Sequence, residues 1–448
     1  MLFKRKAYVA LADWKKRCNG SYAALLEGAR RVGKSTIAEE FAKENYRSYM
    51  KVDFANTSPA ILSCFESLSN LDEFFLRLQA VTGVTLFPRE SVLIFDEIQL
   101  QPKVRQAIKY LVHDHRFDYI ETGSLLSIKK NVKGIVIPSE EWKIPVYPMD
   151  YEEFLEAAGK NTFGILQKAF DLKKPFGEAV HRSLMRELRL YIAVGGMPQA
   201  VEAFLEKKNF QEIDRIKRTI IDLYEEDFYK IDPSGRVSLL YESIPAQLAR
   251  KSKRFTIHFA LKKKTQGRDE ELFQELVNSR TVLPCYDCAN PRAGLAQGKD
   301  ISTYKVYLAD TGLFVSLLLK TQTYADNALY AKLISDKLPT DLGMLFENFV
   351  AQSLASQGID LRYRTWPKDG TTHSFEIDFL LPKPQGKLLP IEVKSSRVSP
   401  HESLDDFVNK YSSMTEGPVI LSQKDYSREK IIEIIPFYFA SFLAPKNQ

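Results

Sequence analysis

Cysteine and histidine are scarce, at 4 and 6 of 448 residues. A disulfide framework needs a far higher cysteine density, and a zinc ribbon needs two close ligand pairs. Cys285 and Cys288 form one CxxC pair in TVLPCYDCANP, with no second pair in view and no helix start behind it, so plain packing is the expectation. A bilayer-length apolar run is also missing: the tract IIPFYFASFLAP is too short, and charges interrupt MLFKRKAYVALADWKK before it can form a signal-peptide core. These absences lead us to expect a cytoplasmic protein with no membrane partner. Strong net charge is absent too, since 63 basic residues against 57 acidic leave +6. A balance that small bears on association and not on fold. With 44% hydrophobic and 27% charged residues, the chain has the composition of a folded protein and the length of several domains.

What the chain does have begins at AALLEGARRVGKSTIAEEFAKEN, a short apolar strand, a loop and an amphipathic helix. The loop reads Gly28, Ala29, Arg30, Arg31, Val32, Gly33, Lys34, Ser35, Thr36, the full phosphate-binding pattern in the strand-to-helix context it requires. Glycines let backbone N–H groups turn toward phosphates, and the helix presents its positive end to them. Lys34 is expected to reach the outer phosphates of ATP and Ser35 to ligate Mg²⁺. Arg30 and Arg31 fill variable positions, and their side chains are assigned no role. A chance glycine turn is the plain alternative, and the context argues against it.

Downstream, SVLIFDEIQ reads as a strand covered on both faces that ends in carboxylates. Asp96 is placed to hold the magnesium shell, and Glu97 to polarise the attacking water as a general base. Strand-like runs YRSYMKVDF, RFDYIETGS and WKIPVYPM alternate with helical stretches, which argues for a doubly wound parallel sheet. Thr122-Gly123-Ser124 follows a strand at the edge where ligands bind in such folds. Ser124 is the residue expected to sense the terminal phosphate, a turn being the alternative.

The segments GARRVGKST, LIFDEIQ, ETGSLLS and IPVYPMDYEEF resemble a prokaryotic family of AAA-type ATPases fused to a C-terminal region of restriction-endonuclease-like fold. YIAVGGMPQAV and YKVYLADTGLF resemble later landmarks of the same family, so the likeness runs over nearly the whole chain. The resemblance and the order of elements together lead us to expect an α/β architecture: a P-loop ATPase domain with a parallel sheet over residues 1–150, a helical lid or connector over 151–230, a winged-helix-like domain over 231–325 and a nuclease-like α/β domain over 326–448. One departure stands out. Where family members often carry a Gly-Arg pair, this chain has NVKGIVIPSEEWK, with Lys133 and no arginine to stabilise the transition state from a neighbouring copy.

The middle stretch is helical by period and then runs helix, short helix, longer helix, strand, the order of a winged helix-turn-helix. Arg250, Lys251, Lys253, Arg254, Lys262, Lys263, Lys264 and Arg268 cluster here, and such a patch is placed to touch DNA phosphates without reading sequence. A solvated charge run is the alternative.

Near the C-terminus, DLGMLFENFVAQSLASQG is an amphipathic helix carrying Glu347. SFEIDFLLP and LLPIEVKSS then read as two strands joined by a KPQGK turn, so Asp378 and Glu392 can approach each other if the strands pair. Two such carboxylates repel unless a cation lies between them, and hard oxygen ligands suit Mg²⁺ or Mn²⁺. Glu347, Asp378 and Glu392 with Lys394, which orients water rather than binding metal, are similar to the PD-(D/E)xK nuclease signature, with Ile377 at the signature proline. The alternative is a charged hairpin. Two functions follow: an ATP-driven DNA-acting enzyme gating a C-terminal nuclease, or a nucleotide switch whose later domains only bind partners, with a second copy of the chain among the candidates.

Overall fold

The computed structural model describes residues 3–66, 68, 70–123, 138–250, 252–262, 267–320, 327–335, 337, 343–396 and 398–445. It divides into two compact units, Met1–Tyr147 with Asn278–Arg280, and Pro148–Val277 with Thr281–Gln448. Among the described residues no helix is long and apolar enough to cross a membrane. The four cysteines are buried free thiols.

In the first unit, strands β1 (Ala23–Glu27), β2 (Ser48–Asp53), β3 (Ser91–Asp96), β4 (Asp118–Gly123) and β5 (Glu141–Pro145) form one parallel sheet in the order β2-β3-β4-β1-β5. Every residue of β1, β3 and β4 is buried, as a parallel sheet covered on both faces requires. One face packs on an aromatic core that includes Phe54, Phe65, Phe74, Phe75, Phe95 and Tyr119, with Phe65 and Phe74 edge to face at 5.1 Å. The register sets Leu26 beside Thr122 and Phe95 beside Glu121. The C-terminal ends of β1, β3 and β4 therefore line up along one edge.

The second unit opens with a capping box. Asp150 accepts from the Glu153 N–H at 3.0 Å and its own N–H donates to the Glu153 carboxylate at 3.1 Å, which starts the helix Tyr151–Ala157. Further helices run Phe163–Leu172, Glu178–Val194, Pro198–Leu205 and Phe210–Ile231, where the sequence period places helix. The landmarks VGGMPQ and LADTGLF meet, because Asp310 accepts from the Gly196 N–H at 2.6 Å and from the Leu313 N–H at 2.8 Å.

Four helices, Arg236–Glu242, Ile244–Leu248, Ile257–Leu261 and Gly267–Asn278, then precede β6 (Val282–Cys288) and β7 (Lys299–Leu308). These two strands form a hairpin, but β6 also pairs in parallel with β8 (Arg362–Pro367), which pairs with β9 (Ser374–Ile377). One four-stranded sheet, β7-β6-β8-β9, thus joins strands from both sides of residue 325. The second sheet runs β10-β11-β12-β14-β13, from β10 (Phe379–Pro382), β11 (Leu388–Lys394), β12 (Val419–Ser422), β13 (Ser427–Glu429) and β14 (Ile432–Pro436). Asp378 is the single residue between β9 and β10, so the chain passes from one sheet to the other there.

Candidate nucleotide site and C-terminal carboxylate cluster

The phosphate loop leaves the end of β1 and enters the helix Lys34–Asn45, whose N-cap is Gly33 at φ +97°. That backbone conformation suits glycine and few other residues. A Cβ on Gly28 would lie 2.2 Å from the Val146 carbonyl oxygen, so a side chain there has no room. Arg5 holds the loop from outside, donating to the carbonyls of Val32 at 2.8 Å and Tyr147 at 2.6 Å. Ala29 and Val32 are buried, Arg30 is half-buried, Arg31 is exposed at φ +70°, and Thr36 is exposed in the first helical turn.

Lys34 is buried, and its ammonium donates to the carbonyls of Gly28 at 3.1 Å and Ala29 at 2.8 Å. Burial pushes its pKa down to about 8, against the pull of Glu97 and Asp96. Ser35 Oγ donates to Asp96 Oδ1 at 2.7 Å. Thr122 donates to the same oxygen and accepts from the Glu97 N–H at 3.3 Å. Lys51, on β2, stands 3.3 Å from the other Asp96 oxygen. Glu97 has φ +54°, and its carboxylate accepts from the Gln99 amide. Ser124 lies outside the described residues, as does Lys133. Sequence reasoning passed over Thr122, although it stands in the same TGS stretch, and it gave no signal for Lys51.

These residues fit a magnesium nucleotide. A hydroxyl and a carboxylate oxygen lie 2.7 Å apart beside a helix N-terminus and a buried ammonium. Hard oxygen donors and one cation are what the phosphates and Mg²⁺ need.

The C-terminal residues also converge, though with company. Phe379 pairs with Ile391 across the antiparallel β10–β11 ladder, which brings Asp378 to Glu392, and the Val393 N–H donates to Asp378 Oδ2 at 2.9 Å. Glu347 comes in from the helix Gly343–Ala355. Between them stands Lys305 of β7, fully buried, with its ammonium 3.1 Å from Glu347, 2.7 Å from Glu376 and 3.3 Å from Asp378. Lys253 pairs with Glu347 as well and lies 3.4 Å from Asp378. Tyr307 donates to Glu347 at 2.5 Å. Burial opposes ionisation of Asp378, but the two lysines win and hold its carboxyl below the usual range. Burial pushes the Glu392 carboxyl up, and Lys394 pairs with it at 2.7 Å.

Among the described residues no group of three or more His, Cys, Asp or Glu side chains is arranged to hold a metal ion. The four expected residues are thus gathered at one place, but an ammonium fills the middle of the cluster. Lys253, read from the sequence as part of a basic surface patch, turns inward to it. Of the rest of that patch, Arg250, Lys262 and Arg268 are exposed, Arg254 donates to the Ser302 carbonyl at 3.2 Å, and Lys251, Lys263 and Lys264 lie outside the described residues.

Comparison with known proteins bears on both units. Residues 21–155 match the model of an AAA domain. Residues 185–324 and 342–440 match two domains of unknown function, DUF8612 and DUF4143. No curated protein matches the chain. Among solved structures it is similar to a Walker-type ATPase of Pyrococcus abyssi, at 17% identity over 71% of this chain and 96% of that one, with a TM-score of 0.43. It is also similar to the RuvB Holliday junction branch migration motor of Thermotoga maritima, at 15% identity over 62% and 86%, with a TM-score of 0.27. Both likenesses are too distant to carry a function across. The AAA match coincides with the loop, Asp96 and Thr122, and the chain therefore contains an AAA-type P-loop ATPase domain.

Proposed function

We propose that the chain binds ATP with Mg²⁺ at its first unit and hydrolyses it, and that the nucleotide state governs what the second unit binds. The observation that carries this reading is the convergence of Ser35 and Thr122 on one oxygen of Asp96, beside the buried Lys34. Bound Mg²⁺ would offset phosphate charge, held through Ser35 and Asp96. Lys34 leaves its loop carbonyls for the outer phosphates. Glu97 orients and deprotonates the attacking water once the Gln99 amide releases its carboxylate. Thr122, which links Asp96 to the Glu97 N–H, fixes the two acidic residues relative to each other. Ser124 remains our candidate for sensing the terminal phosphate.

For the second unit, the order of a helix with Glu347, a strand entry with Asp378 and a paired strand with Glu392 and Lys394 supports a nuclease-like module. DNA is the partner we assign to it, through the exposed Arg250, Lys262 and Arg268. A second copy of the chain is a further partner we propose, with no transition-state arginine assigned to it.

The test is phosphate release by the full chain with Mg²⁺, with and without DNA, alongside Lys34→Ala and Glu97→Gln. Hydrolysis lost in both variants, with ATP binding retained in Glu97→Gln, supports the assignment. Unchanged hydrolysis in Lys34→Ala rejects it. DNA from the same tubes, run on a gel and in a binding assay, shows whether the second unit touches or cuts it.

A further inference from the structure

The carboxylates of the second unit already have their cations. Glu347 Oε1 accepts from Tyr307 at 2.5 Å and from Lys305 at 3.1 Å, and its other oxygen accepts from Lys253. Asp378 Oδ1 accepts from Lys305 at 3.3 Å and Lys253 at 3.4 Å, and its Oδ2 from the Val393 N–H at 2.9 Å. Every oxygen of the two central carboxylates is thus engaged by a protein donor. Glu376, the third acidic group on Lys305, has its carboxyl pushed up by burial.

We propose that Lys305 and Lys253 stand in the place of the divalent cation in this cluster, so that the second unit takes no Mg²⁺ or Mn²⁺ and meets its partner without metal-dependent cleavage. The charge count supports this. Glu347, Glu376 and Asp378 bring at most three negative charges and the two ammonium groups bring two positive ones, so a metal dication added on top would leave an excess of buried positive charge. Hard-cation sites surround the ion with oxygens and water, whereas here the space among the carboxylates is taken by a fully buried ammonium. The remaining expected ligand adds no net charge, since Glu392 Oε1 is paired with Lys394 at 2.7 Å, while its Oε2 is buried without a hydrogen-bond partner.

The two lysines differ in a way that makes the idea testable. Lys305 is fully buried on β7, while Lys253 is 27% exposed and reaches the cluster from the short segment before the helix Ile257–Leu261. Lys253 is therefore the cation nearer solvent, where water can fill the space its side chain leaves.

The experiment is Mn²⁺ binding by the nucleotide-free full chain, read by electron paramagnetic resonance, for the wild type, Asp378→Asn, Lys253→Ala and the Lys253→Ala/Asp378→Asn pair, with folding checked by circular dichroism. The wild type should show no Mn²⁺ binding that depends on Asp378, while Lys253→Ala should bind Mn²⁺ at least tenfold more tightly and lose that gain in the double variant. A wild-type Mn²⁺ site abolished by Asp378→Asn overturns the proposal. Failure of folded Lys253→Ala to gain a site overturns it too, because the lysines would then not be what keeps metal out. Neither result touches the ATPase reading, which stands on Lys34 and Glu97.

Discussion

Lys51 stands 3.3 Å from Asp96 Oδ2, the oxygen that Ser35 and Thr122 leave alone. An ammonium held there competes with the cation that ATP brings. We expect Lys51→Met to lower the Mg²⁺ concentration needed for half-maximal hydrolysis by about threefold, the modest size reflecting a partly exposed pair. A magnesium titration of the steady-state rate checks it, and an unchanged or raised requirement counts against it.

ATP affinity should weaken in alkali. The Lys34 pKa is pushed down to about 8 in the free protein, and a phosphate beside it raises it again. The bound form then keeps a proton that the free form sheds above about 8. Affinity is therefore flat below that pH and falls by up to about tenfold per unit above it. Calorimetric titration at several pH values, in buffers of different ionisation enthalpy, should show proton uptake only on the alkaline side.

Replacing Lys305 by Met should destabilise the second unit by about 3–5 kcal/mol, because it leaves buried carboxylates facing one another. The sign with pH follows. The intact protein holds Asp378 ionised below its usual range, so that stabilisation is present at neutral pH and lost as acid protonates the group. The gap between wild type and Lys305→Met should accordingly narrow only as pH falls below about 4, where the unfolded chain takes up the Asp378 proton first, and a constant gap in urea denaturation would argue for a packing defect alone.

Glu121 is fully buried in β4, and both its carboxylate oxygens lack a hydrogen-bond partner. Burial, aided by Glu141 and opposed by Arg105, raises its pKa well above normal. The unfolded chain ionises first, so this group costs stability as pH rises from about 4.5 toward its folded pKa. Glu121→Met should raise neutral-pH stability by about 1–3 kcal/mol and flatten the pH profile of the melting temperature. A loss of stability would show that the carboxyl is satisfied after all.

What could be read from the sequence was what neighbouring residues determine. The phosphate loop, the β3 strand ending at Asp96 and the helical stretch after Tyr151 each follow from spacing within a dozen residues. Thr122 was within reach in TGS, but the later hydroxyl was chosen, because nothing local says which side chain turns toward Asp96. Lys305 and Lys253 were beyond reach, since they meet Asp378 across 73 and 125 positions of chain. A lysine on an alternating strand reads as solvent-facing, and only the β6–β7 hairpin packed on the helix Gly343–Ala355 makes it a core residue. The β6–β8 pairing was equally silent. Parallel pairing between distant strands leaves no turn to announce it.

That pairing bears on how the protein can be taken apart. A fragment ending near residue 325 would keep β6 and β7 but lose the strand that covers β6, and one beginning there would keep β8 and β9 without it. Each would display an unpaired row of amides and carbonyls, the surface on which strands of separate molecules add to one another. Separately produced halves of the second unit should therefore precipitate or co-purify as a complemented pair, and work on its activity is best done with Pro148 through the C-terminus left uncut.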